Sequence, residues 1–312
     1  MRLAAEGVFS MDTITMTQSE LENLVETVAL EVLRQMEPAP GAWLSEEMEC
    51  ACNHVARSGA IQCVNDQPAE VRALARLMDH TLLRPHATRG QIEQLADEAR
   101  QWCFGSICVN STWVPAAAEK LRGSGVKVAA VVGFPFGATV TSVKRAEAQA
   151  VILAGAEEVD MVMNVGAMKS GDLEAVENDI RGVSEVCHEG GALLKVILEN
   201  AYLTDEEKIE ACRIAKKAGA DYVKTSTGFA PSGAIASDVR LMRETVGPEL
   251  GVKAAGGIRT LADAVAMLDA GATRLGTSAS IAILEEAIAA MAGRASQLFP
   301  APAATSRTPQ AY

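Results

Sequence analysis

Two lysines in this sequence stand where a lysine is costly unless it is used. Lys224 lies in Tyr222-Val223-Lys224-Thr225-Ser226-Thr227-Gly228, and Lys253 in Gly251-Val252-Lys253-Ala254-Ala255-Gly256-Gly257. Both stretches read as short strands that end in glycine turns. Strand alternation puts Val223 and Thr225 on one face and Lys224 and Ser226 on the other, with Val252 outward and Lys253 inward. Burying an isolated ammonium is expensive. Two on neighbouring inner faces disfavour each other's charge, so one pKa falls. A neutral amine is the nucleophile that forms Schiff bases with carbonyls. The plain alternative, a salt-bridged or snorkelling lysine, fits one such residue better than two.

A third inward residue is Asp160, in Glu158-Val159-Asp160-Met161-Val162-Met163-Asn164, where Val159 and Met161 face outward. Beside an amine–carbonyl adduct a carboxylate can shuttle protons; it can equally be a counter-ion, and the sequence does not separate the two. Lys195, in Leu194-Lys195-Val196-Ile197, also points inward and is assigned to the polar network that holds Asp160. Gly228, Gly256-Gly257 and Gly276-Thr277-Ser278 follow three consecutive strands. Glycines let backbone N–H groups approach an anion, and a helix start after the last strand adds a positive dipole end. Next to paired lysines, this pattern points to a phosphorylated carbonyl substrate.

The elements that must position these groups alternate. Strands are expected at 80–83, 106–110, 126–134, 158–164, 193–199, 222–227, 252–255 and 274–276. Helices are expected at 88–101, 142–154, 173–188, 205–218, 236–245, 261–270 and 281–290. Eight strands separated by helices imply parallel pairing. Their number, and a repeat region of a little over 220 residues, favour a closed (β/α)8 TIM barrel spanning 68–296 over an open sheet. The first strand is not followed by GxGxxG, which weakens a dinucleotide fold. In such a barrel, catalytic groups sit at the C-terminal strand ends.

Residues 1–16 and 297–312 are expected to be disordered. Ser19-Glu20-Leu21-Glu22 is a capping-box pattern, and Leu21, Leu24, Val25, Val28, Val32 and Met36 follow at helical spacing. An amphipathic helix over 17–36 is expected, then a Pro/Ala/Gly linker and an extra helix within 37–67. The helix either packs on its own barrel or across a dimer, or docks elsewhere on its tether. It resembles the encapsulation peptides that lead cargo enzymes into bacterial microcompartments, which implies shell proteins as partners.

The chain has 312 residues, 49% of them hydrophobic and 22% charged, and a net charge of -12, which argues against nucleic acid as a partner. No apolar run is long enough to span a bilayer. Without a signal-peptide pattern the protein reads as cytoplasmic, and its seven cysteines as reduced thiols. Cys50, Cys52 and Cys63 do not complete a zinc pattern.

Five segments together are specific: Leu77-Met78-Asp79-His80-Thr81-Leu82-Leu83, Val132-Gly133-Phe134-Pro135-Phe136-Gly137, Glu158-Val159-Asp160-Met161-Val162, Lys224-Thr225-Ser226-Thr227-Gly228-Phe229 and Lys253-Ala254-Ala255-Gly256-Gly257-Ile258-Arg259-Thr260. In order and spacing, from about residue 70 to 293, the chain resembles deoxyribose-phosphate aldolase. That resemblance implies a class I aldolase that reversibly cleaves 2-deoxy-D-ribose 5-phosphate to D-glyceraldehyde 3-phosphate and acetaldehyde, with no metal or cofactor. Carried over by position, Lys224 is the Schiff-base lysine, Lys253 lowers its pKa, and Asp160 donates and accepts protons. Asp79 looks like a supporting acid near the substrate hydroxyl, and Cys108 falls where some members have a reactive cysteine. Gly228, Gly256, Gly257, Gly276 and Ser278 fall where the family grips phosphate. Phe229 stands where some members have a lysine, so that contact is absent. A homo-oligomer is expected. The competing readings are a Schiff-base barrel for another aldehyde or sugar phosphate, and a non-catalytic cargo or scaffold protein.

Overall fold

Strand alternation and helix caps decide how this chain closes. The computed structural model describes residues 67–298, and side chains as far as residue 292. The expected segments before residue 67 and after 298 lie outside the described residues. Eight strands, β1 (Met78–Leu82), β2 (Ser106–Val109), β3 (Lys127–Val132), β4 (Glu158–Val162), β5 (Leu193–Ile197), β6 (Tyr222–Lys224), β7 (Gly251–Ala255) and β8 (Arg274–Thr277), pair in parallel in sequence order. The ring closes where Met78, Asp79 and His80 of β1 pair with Leu275, Gly276 and Thr277 of β8. This is the (β/α)8 barrel.

The helices are α1 (Ala69–Arg76), α2 (Arg89–Trp102), α3 (Val114–Leu121), α4 (Thr141–Leu153), α5 (Val165–Lys169), α6 (Leu173–Glu189), α7 (Asp205–Lys217), α8 (Ala236–Val246), α9 (Leu261–Asp269) and α10 (Ser280–Leu298). Three start at capping boxes: Thr88 with Gln91, Thr204 with Glu207 and Thr260 with Asp263. Each box satisfies two N–H groups that the first turn would otherwise leave bare. Asn164 and Asp172 cap α5 and α6. None of these helices is long and apolar enough to cross a membrane.

The main core lies between the strands and the helical ring, where Val159, Met161, Val223 and Val252 point. A second, small apolar cluster of Leu83, Cys108, Ala129 and Val131, with Phe134 against it, lies apart from that shell. Cys108, Cys187 and Cys212 are free thiols; Cys103 is disulfide-bonded, against the expectation of reduced cysteines throughout. Helices α1, α3 and α5 were not expected, because none of them fills the window of about 11–18 residues over which an apolar period is read. The expected tail begins at 297, but α10 runs on to Leu298.

Candidate active site

The register brings the predicted lysines level: Lys224 and Lys253 are direct Cα partners across β6 and β7. One strand pair away, Asp160 sits opposite Lys195 across β4 and β5. All four side chains are buried at the barrel axis. Asp160 is their hub. Its Oδ1 accepts from Lys195 Nζ at 2.9 Å, and its Oδ2 accepts from Lys224 Nζ and Lys253 Nζ, each at 2.7 Å. Lys253 Nζ also donates to Asp79 Oδ2.

Two residues that sequence reasoning overlooked close the network from below. Arg274 donates to Asp79 Oδ1 at 2.8 Å and to Glu158 Oε1 at 3.1 Å. Glu158 also faces Lys195 at 2.5 Å. Both are visible in period two, since Glu158 precedes Asp160 by two residues and Arg274 precedes Gly276 by two.

Four basic groups therefore meet three carboxylates: Lys195, Lys224, Lys253 and Arg274 against Asp79, Glu158 and Asp160. One positive charge is left over, and the pKa directions say whose. Burial works against every cation here. For Lys195 the carboxylates of Asp160 and Glu158 outweigh it, for Lys253 those of Asp160 and Asp79, and for Arg274 those of Asp79 and Glu158, so all three are held above their ordinary ranges. Lys224 alone is lowered. Burial is the largest cause, Asp160 opposes it, and the charge of Lys253 adds to it. The expected mutual repulsion of the two lysines is thus present but second to desolvation. Burial pushes Asp160 and Asp79 up, but the surrounding cations win and hold both well below the carboxylate range.

Lys224 is also the member of this set that reaches an opening. A cavity of about 520 Å³ is lined by Lys224, Thr227, Gly228, Phe229, Gly256, Gly257, Gly276 and Ser278, among others. Every glycine and serine expected to face substrate is in that lining. Asp79, Cys108 and Lys195 are not: each is fully buried outside it. Cys108 Sγ lies 4.0 Å from Asp160 Oδ2, and burial, then the charge of Asp160, pushes its thiol pKa up, which makes it a poor nucleophile.

Among the described residues, the backbone N–H groups of Gly228, Gly256, Gly257 and Ser278 have no hydrogen-bond partner. Gly228, Gly256 and Gly257 have φ of +86°, +86° and +82°, the left-handed region that glycine enters freely. A Cβ on Gly233 would lie 2.2 Å from Gly256 O, so only glycine lets the loop after β6 close on the turn after β7. Arg84 and Arg259 also line the cavity, two guanidinium groups the sequence reading did not single out. An amine poised to lose its proton, a carboxylate hub and an anion cradle together equip the site for imine chemistry on a phosphorylated carbonyl compound.

Residues 73–296 match the model of the DeoC/LacD family of aldolases. The chain is a member of the DeoC/LacD aldolase family. The aldolase is 57% identical over 216 residues to the deoxyribose-phosphate aldolase of Streptococcus pneumoniae (serotype 19F, strain G54), covering 69% of this chain and 97% of that one. Its fold is similar to a solved structure of a putative deoxyribose-phosphate aldolase from Coccidioides immitis, with a TM-score of 0.67 and 37% identity, over 87% of this chain and 98% of that one. A deoxyribose phosphate aldolase from Aeropyrum pernix, described as tetrameric, matches with a TM-score of 0.66 and 35% identity, over 71% of this chain and 94% of that one.

Proposed function

We propose that this aldolase cleaves 2-deoxy-D-ribose 5-phosphate reversibly to D-glyceraldehyde 3-phosphate and acetaldehyde through a Schiff base on Lys224. The observation that carries the reading is the surplus cation: of the four basic groups at the axis, the one whose pKa is lowered is the one that lines the cavity. The name shared by the relatives supports the substrate. The unpartnered N–H groups of the glycine turns supply donors for its phosphate.

Neutral Lys224 attacks the aldehyde carbon C1, and loss of water from the carbinolamine leaves an iminium. As the C2–C3 bond breaks, its electrons move to the iminium and the C3 hydroxyl gives up its proton. D-Glyceraldehyde 3-phosphate departs, and a two-carbon enamine remains on Lys224. Protonation at C2 and hydrolysis of the iminium release acetaldehyde and restore the amine. Asp160 is the group we assign to these proton transfers, directly or through water. Lys253, held charged, keeps the neighbouring amine short of its proton, and Asp79 holds Lys253 in place. The assembly we assign is a homo-oligomer, as in the Aeropyrum pernix relative.

The test is acetaldehyde release from deoxyribose 5-phosphate, together with borohydride trapping and mass mapping. Release with an adduct on Lys224 is expected. An adduct without acetaldehyde would favour a Schiff-base aldolase for another substrate, and no adduct would favour a non-catalytic scaffold.

Lys253→Met tests the electrostatics. Without that charge Lys224 recovers proton affinity, so the acid limb of kcat/KM against pH is expected to move up by about 1–2 units. A limb that stays in place removes Lys253 from this role.

The segment 17–36 lies outside the family match, and its capping box and apolar stripe favour docking to a microcompartment shell. Residues 17–36 fused to a fluorescent protein are expected to co-purify with shell proteins; a fusion that stays diffuse in a shell-producing host rejects the idea.

A further inference from the structure

Glu199 follows β5 and belongs to neither the axial network nor the cavity lining, yet it is buried. The hydrogen bonds of its carboxylate all go to one residue in the turn after β6. Thr227 N–H donates to Oε1 at 3.2 Å and to Oε2 at 3.3 Å, and Thr227 Oγ donates to Oε2. Thr227 Oγ in turn accepts from Phe229 N–H at 3.1 Å. The backbone on either side is laced to the same strand end: Leu198 N–H donates to Lys224 O at 2.9 Å, and Asn200 N–H to Thr225 O at 3.0 Å.

Glu199 reaches Thr227 from an uncommon backbone conformation, φ 60° and ψ 62°. A non-glycine residue held in the left-handed region costs about 1–3 kcal/mol and persists where surrounding structure insists on it. A buried carboxylate adds a desolvation cost, and burial does push the Glu199 pKa up. Two unfavourable features at one residue, both directed at one turn, mark that turn as what they serve.

The turn needs holding. Gly228 has the backbone freedom of glycine, and it sits between Thr227 and Phe229 on the cavity wall. Its far side is pinned where Ala234 N–H donates to Gly256 O at 2.9 Å. On its near side the chain is fixed at Thr225, which bonds Lys253, Ala255 and Asn200; between Thr225 and Gly228 the hydrogen bonds that hold it are those of Thr227 to Glu199. Losing that anchor leaves Lys224 in its strand but loosens the N–H donor offered to an anion.

We propose that Glu199 is a positioning residue for the phosphate end of the substrate: acting through Thr227, it fixes the Thr227-Gly228-Phe229 turn so that the unpartnered Gly228 N–H meets the anion. This deepens the function proposed above and rests on it.

The experiment compares kcat/KM for 2-deoxyribose 5-phosphate and for unphosphorylated 2-deoxyribose in the wild type, Glu199→Gln, Thr227→Val and the double variant. Glu199→Gln is expected to cut the preference for the phosphorylated sugar about tenfold, the value of one well-placed hydrogen bond, mainly through KM. Thr227→Val removes the hydroxyl arm of the same link, and with it the acceptor for Phe229 N–H, and should do likewise. The double variant should lose no more than the worse single one, because the two residues act as one unit. Equal losses on both sugars mean a merely structural role and overturn the proposal, as does an unchanged preference. Should Glu199→Gln fail to fold, Thr227→Val carries the same test. A wild type inactive on both sugars overturns the underlying function and this inference with it; an active wild type with an insensitive Glu199→Gln overturns this inference alone.

Discussion

Lys224→Met should be inactive and more stable than the wild type. The loss of activity is direct: with no amine there is no imine, and removing a covalent nucleophile lowers kcat by roughly four to six orders of magnitude. The gain in stability follows from the charge balance. Without Lys224, three basic groups face three carboxylates at the axis. Asp160 keeps partners on both oxygens, Lys195 on Oδ1 and Lys253 on Oδ2. Methionine fills a similar volume with no charge to desolvate. Relief of about 1–2 kcal/mol is expected, or some 3–6 °C in Tm for a domain of this size. The pH dependence fixes the cause. Folding lowers the pKa of Lys224, so the unfolded chain binds its proton more tightly. The cost to the wild type is therefore complete below the folded pKa and fades as pH rises to the ordinary lysine value of about 10.4. Melting curves at a series of pH values should show the gap between variant and wild type closing over that window. A variant less stable than the wild type at neutral pH would mean that Lys224 is a paired structural cation.

Alternation alone did not tell Lys224 from Lys253; the choice of Lys224 as the nucleophile came from the family resemblance. Alternation placed Lys224 and Lys253 on adjacent inner faces, and the register puts them level. Their difference lies in what stands across the barrel. Lys253 reaches both Asp79 and Asp160, whereas Lys224 reaches only Asp160. Those contacts join residues 174 and 93 positions apart in one case and 64 in the other, separations at which local pattern carries no information. Period two also placed Asp160 and Lys195 correctly on the inner face, because a one-residue slip would have turned Val159 and Leu194 to the axis. The ends of strands were less legible. β4, β5 and β6 were each drawn two or three residues too long, since the apolar or β-branched residues that follow them look like strand. Glu199 fell in that overrun and was read as the last residue of β5. A left-handed glutamate has no signature of its own; only its bonds to Thr227 reveal it.

Asp160→Asn is expected to separate imine formation from turnover. Among the described residues, Asp160 is the only carboxylate that three ammonium groups share, from Lys195, Lys224 and Lys253. An amide removes the negative charge and turns an N–H donor toward other donors. Four basic groups would then face two carboxylates, and breaking a buried ionic cluster this way costs about 3–5 kcal/mol, or roughly 10 °C or more in Tm. The fold holds the pKa of Asp160 well below its unfolded value, so its stabilisation is complete above about pH 4 and is lost as pH falls toward the folded value. The gap between wild type and variant should accordingly narrow below pH 4. The effect on chemistry runs two ways. Asp160 is what raises the pKa of Lys224 against burial, so its loss lowers that pKa further. Borohydride trapping of acetaldehyde on Lys224 should then persist to lower pH than in the wild type, while turnover falls by about 10²–10⁴ for want of the proton shuttle. Lys253→Met should move the same titration the opposite way, since it removes the opposite charge. Two substitutions around one amine that shift its pH dependence in opposite directions cannot be explained by general loosening of the barrel. Wild-type turnover in Asp160→Asn would instead reduce Asp160 to a counter-ion and leave the proton transfers to another group.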